Sequence, residues 1–194
     1  IGGLYVSGEE SAEQVKLRAK RLGIEGANIS ILAETNAENI VSVMSGVDKL
    51  FGLVIVDSIQ TLSSSELDGM AGSVGQIRHC AELLIAAAKS QGIPILIIGH
   101  VTKEGAIAGP KVLEHMVDAV LYLEGERFAN ARILRTLKNR FGAIEEVGIF
   151  EMAGEGLKEV SNPSALFLQD RVKNVPGSVV TVIMEGTRPM LVEI

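Results

Sequence analysis

The most informative stretch of the sequence is Leu53-Val54-Ile55-Val56-Asp57, in which four aliphatic residues lead directly to an acid. A continuous aliphatic run of this length is typical of a strand that is buried on both faces of a parallel sheet. Similar runs at 95–98 and 4–6 lead to His100 and to the pair Glu9-Glu10. Polar residues therefore follow three predicted strands, at the edge where parallel α/β sheets place their chemistry.

Helical patterns separate the predicted strands, which include a fourth at 29–33. Three of the helices begin with a capping-box pattern, in which a serine or threonine is followed three residues later by Gln or Glu. The pairs are Ser11/Gln14, Thr35/Glu38 and Ser73/Gln76. The alternation of strands and helices predicts a mostly parallel sheet with helices on both faces.

From residue 119 onward the pattern changes to short strands joined by tight turns. These predicted strands cover residues 119–123, 132–138, 147–152 and 157–160. Successive short strands of this kind pair with their neighbours, so we expect an antiparallel extension at the edge of the sheet. A further β-rich piece begins near residue 163.

The composition is that of a folded globular chain, with 47% hydrophobic residues and few aromatics. A net charge of −6 argues against a protein that coats nucleic acid over its whole surface. Cys80 is the only cysteine and lies in an apolar helical pattern, which excludes a disulfide framework and predicts a buried thiol. No apolar run approaches the roughly 18 residues of a membrane span, so we expect a soluble cytoplasmic protein.

Each polar residue at a strand end has a catalytic and a structural interpretation. Asp57 fits the acid that holds a magnesium shell beside nucleotide phosphates, or a simple turn cap. Glu9 and Glu10 fit a base that polarises an attacking water, or favourable charges at a helix N-terminus. His100 fits a sensor of the terminal phosphate, or a polar strand end.

The sequence contains no phosphate-binding loop of the form G-x-x-x-x-G-K-[ST]. The nearest imitation, 105–112, has a glycine spacing one residue short and ends in Val112, which cannot bind magnesium. The overlapping stretch 101–111 is rich in glycine and carries Lys103 and Lys111. It is predicted either to contact a nucleic-acid backbone or to be an ordinary connection.

A second cationic motif is Lys138-Asn139-Arg140-Phe141-Gly142, at the end of a predicted strand. The two cations are two residues apart and project from the same side of an extended chain. They fit charge-stabilising fingers that act on a neighbouring subunit's nucleotide, or a solvated strand end.

Taken together, five segments of the sequence resemble the bacterial RadA (Sms) family of DNA repair and recombination ATPases. They are residues 4–23, 56–62, 99–125, 137–142 and 162–168. The resemblance implies a RecA-type core in a hexameric ring that uses ATP and magnesium to move along single-stranded DNA. It also implies RecA recombinase as a partner.

The resemblance also implies roles for individual residues. Asp57 matches the Walker B acid, which holds magnesium through water, and His100 matches the strand-end sensor. Glu9, with Glu10 beside it, matches the position that activates water. Lys138 and Arg140 match the charge-stabilising fingers that act on the ATP of the adjacent subunit. Residues 61–75 and 101–111 match the two loops that face DNA, and the second loop carries Lys103 and Lys111.

The sequence departs from the family pattern in its organisation. We expect residues 1–162 to form a RecA-like core and residues 163–194 to begin a Lon-protease-like domain. In the family a four-cysteine zinc motif and the phosphate loop precede the matching segments, and neither occurs in these 194 residues. We therefore expect a fragment of a DNA-dependent ATPase that is inactive by itself. The alternatives are a non-enzymatic DNA-binding or interaction module, and a paralogue that lost its phosphate loop.

Overall fold

The fold is known from a computed structural model, which describes residues 2–24, 28–46, 51–100, 109–125, 131–168, 171 and 177–194. The chain divides into two compact units, Ile1–Val117 and Asp118–Ile194. In the described residues the first unit contains one sheet and the second unit contains two. The predicted boundary between a core and a further domain at residue 163 stays a prediction.

The first unit contains a four-stranded sheet in the order β2-β1-β3-β4, in which every pair of neighbours is parallel. The strands are β1 (Gly2–Ser7), β2 (Ile29–Ala33), β3 (Phe51–Asp57) and β4 (Ile95–Ile98). Their aliphatic side chains form the core, and Val6, Val54 and Val56 are fully buried. The predicted parallel α/β architecture is therefore confirmed.

Three helices connect these strands, and a fourth follows β4. They are α1 (Ala12–Arg21), α2 (Ala37–Met44), α3 (Val74–Gln91) and α4 (Gly109–Leu113), and a 3-10 turn follows β3 at Ile59–Thr61. The longest helix, α3, ends at Gly92, whose φ of 64° is a conformation that glycine adopts without strain. Cys80 is buried inside α3, as predicted. No helix in the described residues is long and apolar enough to cross a membrane.

The predicted capping boxes have different outcomes. Ser11 and Gln14 form the expected reciprocal pair at the start of α1. The prediction for Thr35 and Glu38 is wrong, because Asn36 caps α2 by accepting a hydrogen bond from the Asn39 amide. The Glu38 side chain instead turns toward the loop after β3.

The third predicted capping box is half correct. Ser73 caps α3 by accepting a hydrogen bond from the Gln76 amide at 3.4 Å. The Gln76 side chain does not return to the cap, because it lies 1% exposed against the backbone of the preceding loop. Buried hydrogen-bond partners in that loop therefore outcompete the solvent-exposed cap for this side chain.

The second unit begins with an antiparallel sheet in the order β5-β6-β7-β8. The strands are β5 (Ala119–Gly125), β6 (Ala131–Asn139), β7 (Val147–Ala153) and β8 (Gly156–Glu159). They match the four predicted antiparallel strands, but in the described residues they form a sheet of their own rather than the predicted extension at the edge of the parallel sheet. A short helix, α5 (Pro163–Phe167), and a hairpin of β9 (Val180–Glu185) and β10 (Arg188–Glu193) follow. A Lon-like character for this last piece stays a prediction.

Candidate active site

The site begins where β1 and β3 end side by side. Ser7 pairs with Asp57 in the parallel register, so both strands finish at the same level of the sheet. The Gly8 amide then donates a hydrogen bond to the Asp57 carbonyl at 2.8 Å. This bond holds the turn after β1 against the end of β3, and Glu9 follows at that turn.

Gly8 is required at this turn because the chain passes very close to the 3-10 turn after β3. A Cβ atom at position 8 would lie 1.9 Å from the Thr61 hydroxyl oxygen and 2.8 Å from its Cβ. The Thr61 hydroxyl donates a hydrogen bond to the Ser58 carbonyl at 2.8 Å, which fixes it in place. Glycine therefore lets the two strand ends approach each other.

Three of the predicted site residues come together at this edge. The His100 Nε2 atom lies 3.7 Å from Glu9 Oε1 and 3.9 Å from Asp57 Oδ1. Ser58 donates a hydrogen bond from its hydroxyl to Glu9 Oε1 at 2.9 Å. The Gln60 side chain donates to the His100 carbonyl at 2.9 Å, which fixes the chain just beyond β4. We call Glu9, Asp57 and His100 the strand-end cluster.

Tyr5 is a member of the site that sequence reasoning missed. Its hydroxyl donates a hydrogen bond to Asp57 Oδ2 at 2.6 Å. Burial, the bond to Asp57 and the charge of that carboxylate raise the pKa of Tyr5 above its usual value, so the phenol stays a donor. The available signal was the strand register, since Tyr5 pairs with Ile55, two residues before Asp57 on the same face.

Glu10 lies apart from the strand-end cluster. Its carboxylate forms an ion pair with Arg18 of α1, and its amide donates to the Ser7 hydroxyl at 3.0 Å. The two adjacent glutamates therefore have separate partners: Glu9 contacts Ser58 and His100, and Glu10 contacts α1.

Lys138 and Arg140 lie in the second unit, at the end of β6. The Arg140 guanidinium donates to Asp118 Oδ1 at 2.7 Å, and its amide donates to the Asp118 carbonyl at 3.0 Å. Next to it, Phe141 is 83% exposed. The end of this strand therefore presents Arg140, held by Asp118, and the ring of Phe141 to solvent, and Lys138 is partly buried.

One of the two predicted DNA-contacting lysines lies within the described residues. Lys103 lies outside the described residues. Lys111 is exposed in α4, where it lines a cavity that it shares with α3. Of the two predicted DNA-facing loops, 61–75 is described, and Gln76 and Glu38 hold it through hydrogen bonds to its backbone and serines.

The residues of the strand-end cluster fit part of a magnesium–nucleotide site. The Asp57 side chain is 25% exposed. Its Oδ2 atom accepts a hydrogen bond from Tyr5, and its Oδ1 atom lies 3.9 Å from His100 Nε2. A fixed, accessible carboxylate oxygen suits magnesium, which keeps several of its waters. Within the described residues no group of three or more His, Cys, Asp or Glu side chains is placed so that it could hold a metal ion by itself.

The parallel sheet and the acids at its carboxyl edge define a RecA-like α/β core. The crystal structure of the RadB recombinase has the same fold, with a TM-score of 0.59 and 19% identity over 82% of this chain and 79% of that one. No family model matches the chain.

Proteins related in sequence identify the family more specifically than the shared fold does. The DNA repair protein RadA of Bacillus subtilis is 56% identical over 191 residues, which is 98% of this chain and 41% of the relative. RadA of Listeria monocytogenes is also 56% identical over 191 residues (98% and 41%), and that of Pseudomonas aeruginosa is 50% identical over 194 (100% and 42%). The chain belongs to the RadA family of DNA repair proteins, and it spans about two fifths of the length of these relatives.

Proposed function

We propose that this chain supplies the hydrolytic half of the ATPase site in a DNA repair motor that acts on single-stranded DNA. The observation that carries the proposal is the strand-end cluster, in which His100 Nε2 lies within 4 Å of a carboxylate oxygen of Glu9 and of one of Asp57. Two carboxylates and an imidazole at one sheet edge are the groups that water activation and magnesium binding need.

Glu9 is the base in this proposal. Ser58 donates to one of its oxygens at 2.9 Å, which orients the carboxylate without neutralising it. A carboxylate so held accepts a proton from a water that lies between it and a terminal phosphate. The structure of the turn supports this role, because Gly8 keeps Glu9 beside the end of β3.

Asp57 is the residue that would hold magnesium, through water. The Tyr5 hydroxyl occupies Oδ2 and fixes the plane of the carboxylate, while Oδ1 lies on the side of His100. Bound Mg-ATP would supply the phosphoryl group that is transferred to water, and the metal would neutralise the charge that develops on that group.

His100 connects the two acids. Its Nε2 atom is within 4 Å of both carboxylates. A movement of the imidazole would therefore change the surroundings of Glu9 and of Asp57 at the same time. This placement supports a role in sensing the terminal phosphate. Gln60 links the histidine backbone to the turn that leads into loop 61–75, which we propose faces DNA.

The second unit would act on the nucleotide of an adjacent subunit. In this proposal Lys138 and Arg140 are the charge-stabilising fingers, and Asp118 orients Arg140 at the end of β6. The family resemblance extends the proposal to a hexameric ring, to RecA recombinase as a partner, and to a zinc motif and a Lon-like domain in the intact protein. These 194 residues contain no phosphate loop, so we expect this chain to be silent alone.

The test replaces the matching segment of the Bacillus subtilis relative with residues 1–194 and measures ATP hydrolysis with and without single-stranded DNA. The informative variant is Glu9→Gln, and Glu10→Gln is its control because the neighbouring carboxylate pairs with Arg18. We expect Glu9→Gln to lower kcat by about 10²- to 10⁴-fold with nucleotide affinity retained. We expect Glu10→Gln to stay within about twofold, since an exposed ion pair contributes little.

Equal losses in the two variants, or activity within twofold in Glu9→Gln, would remove Glu9 from the role of base. A chimaera that binds single-stranded DNA but does not hydrolyse ATP would favour the non-enzymatic DNA-binding module instead.

A further inference from the structure

Helix α1 concentrates positive charge in a chain whose net charge is −6. Between residues 16 and 21 it carries Lys16, Arg18, Lys20 and Arg21, and all of them are exposed. Arg18 pairs with Glu10, whereas Lys20 and Arg21 form no ion pair with any described residue. The two cations at the end of α1 can therefore pair with acids of a partner.

An exposed leucine lies among these cations. Val15 is the buried residue of α1, and Leu17 lies about 200° around the helix from it, at 3.6 residues per turn. Leu17 is accordingly 69% exposed. Lys20 and Arg21 follow it by one turn and border it on the same side of the helix. We call Leu17, Lys20 and Arg21 the outer face of α1. A fitting partner must offer an apolar side chain together with acids.

The turn that joins β6 to β7 has the complementary chemistry. Ile144 is 49% exposed in this turn, and the two residues that follow it, Glu145 and Glu146, are exposed as well. Neither glutamate forms an ion pair with a residue in the described part of the chain. We call Ile144, Glu145 and Glu146 the acidic turn. Complementary charge of this kind favours one partner and repels wrong ones.

Hydrogen bonds hold the acidic turn in place from both sides. The Asn139 side chain accepts from the Phe141 amide at 3.0 Å and donates to the Ala143 carbonyl at 3.3 Å. From the turn of the β9–β10 hairpin, the Thr187 amide donates to the Glu145 carbonyl at 3.2 Å. A surface that is fixed in this way loses little conformational entropy when it binds.

The proposed fingers bring the acidic turn toward α1 of a neighbouring copy. In the proposed function Arg140 acts on the nucleotide of the adjacent subunit, at the edge where the turn after β1 lies. Glu10 of that turn contacts Arg18, so α1 borders the site. The stretch from Arg140 to the acidic turn spans up to about 14 Å, and Arg21 lies only about 5 Å along the helix from Arg18. The acidic turn can therefore reach the outer face of α1.

We propose that the acidic turn of one copy docks on the outer face of α1 of the next copy. Leu17 packs on Ile144, and the two glutamates pair with the two cations. Because the two surfaces differ, the contact is heterologous and repeats from copy to copy, as in a ring. The inference rests on the proposed function, which sets the fingers of one subunit at the site of the next.

The experiment places the photo-cross-linker p-benzoylphenylalanine at position 17 of the chimaera in the presence of Mg-ATP. Irradiation should join position 17 of one copy to residues 141–146 of another, and mass spectrometry identifies the joined peptides. A mixture of isotope-labelled and unlabelled chimaera separates links between copies from links within one copy. The same cross-linker at position 157, an exposed leucine of β8, is the control and should give no link to 141–146 of another copy.

Charge reversal tests the pairing itself. Lys20→Glu together with Arg21→Glu should lower the cross-linked fraction about tenfold, since each exposed ion pair contributes up to about fivefold. Addition of Glu145→Lys and Glu146→Lys should restore the fraction to within about threefold, because the charges again attract. A variant that merely failed to fold would not recover in this way.

Reversal of two other exposed lysines, Lys89→Glu with Lys158→Glu, changes the net charge equally and should stay within about twofold. Links from position 17 that miss 141–146, or a charge swap that restores nothing, would overturn the inference. So would links from position 17 to an added oligothymidylate, which would assign the outer face of α1 to nucleic acid. The Glu9→Gln chimaera should cross-link as the unmodified one does, so failure of docking and failure of the proposed function are separate results.

Discussion

Replacing Gln76 should destabilise the first unit more than any other single polar change in α3. The side chain is 1% exposed, and it accepts a hydrogen bond from the Ser64 amide at 2.8 Å. It also donates to the carbonyls of Ser64, Leu67 and Gly69. One amide group thus ties loop 61–75 to the helix that follows it.

The magnitude follows from the groups that lose their partner. Gln76→Leu keeps a similar volume but leaves the buried Ser64 amide and the Leu67 carbonyl unpaired, at about 1–3 kcal/mol each. We expect a loss of about 2–6 kcal/mol in the free energy of unfolding. Gln76→Glu should cost more at neutral pH, because its carboxylate accepts from Ser64 but repels the carbonyls that the amide now contacts.

The assay is hydrogen exchange of the α3 amides, because the chain has two compact units and a global transition would mix them. Gln91→Leu, at the exposed end of α3, is the control and should change the free energy of opening by less than about 0.5 kcal/mol. A Gln76→Leu variant as stable as this control, or a Gln76→Glu variant more stable than Gln76→Leu, would refute the account of the loop.

Three further changes probe the site and the loop. The pKa of Tyr5 is higher in the folded chain than in the unfolded chain, where it is about 10. Above that pH the unfolded chain loses the Tyr5 proton while the folded chain keeps it, so the free energy of unfolding falls. The free energy of opening of the first unit should therefore fall at alkaline pH, and Tyr5→Phe should reduce that fall; parallel curves would contradict this. Gly8→Ala should lower the free energy of opening of the first unit by about 1–3 kcal/mol through its clash with Thr61, and Thr61→Gly in the same chain should recover part of it; purely additive effects would exclude the clash. The hydrogen bond from Ser64 lowers the pKa of Glu38 in the folded chain. The ionised Glu38 carboxylate therefore stabilises the fold above the unfolded-state pKa of about 4.3, and this contribution is lost as the pH falls through the pKa of the folded state. The stability difference from Glu38→Gln should be largest near neutral pH and shrink in acid, and a constant difference would count against it.

The strands and the convergence of three site residues were predictable because their causes are local. Continuous aliphatic runs mark the parallel strands, and the carboxyl ends of such strands meet at one edge. Glu9, Asp57 and His100 each follow such a run, so their meeting required no knowledge of side-chain contacts.

The remaining features depend on contacts between distant segments. Ser11/Gln14 and Ser73/Gln76 show the same capping pattern, but only Gln76 has a loop packed over it, which redirects its side chain. Glu10 likewise turns to Arg18, eight residues away, although it is adjacent to Glu9. Sequence spacing fixes which residues share an element, and packing decides which partner each one takes.

We propose that these 194 residues carry the acidic, water-activating half of an ATPase site without the loop that holds the phosphates. The decisive experiment is calorimetric titration of Mg-ATP into the chain, beside the same titration into the chimaera. We expect no detectable binding by the chain and micromolar binding by the chimaera, retained in Glu9→Gln. Micromolar binding by the chain alone would overturn the proposal, and would indicate that another segment, such as 105–111, holds the phosphates.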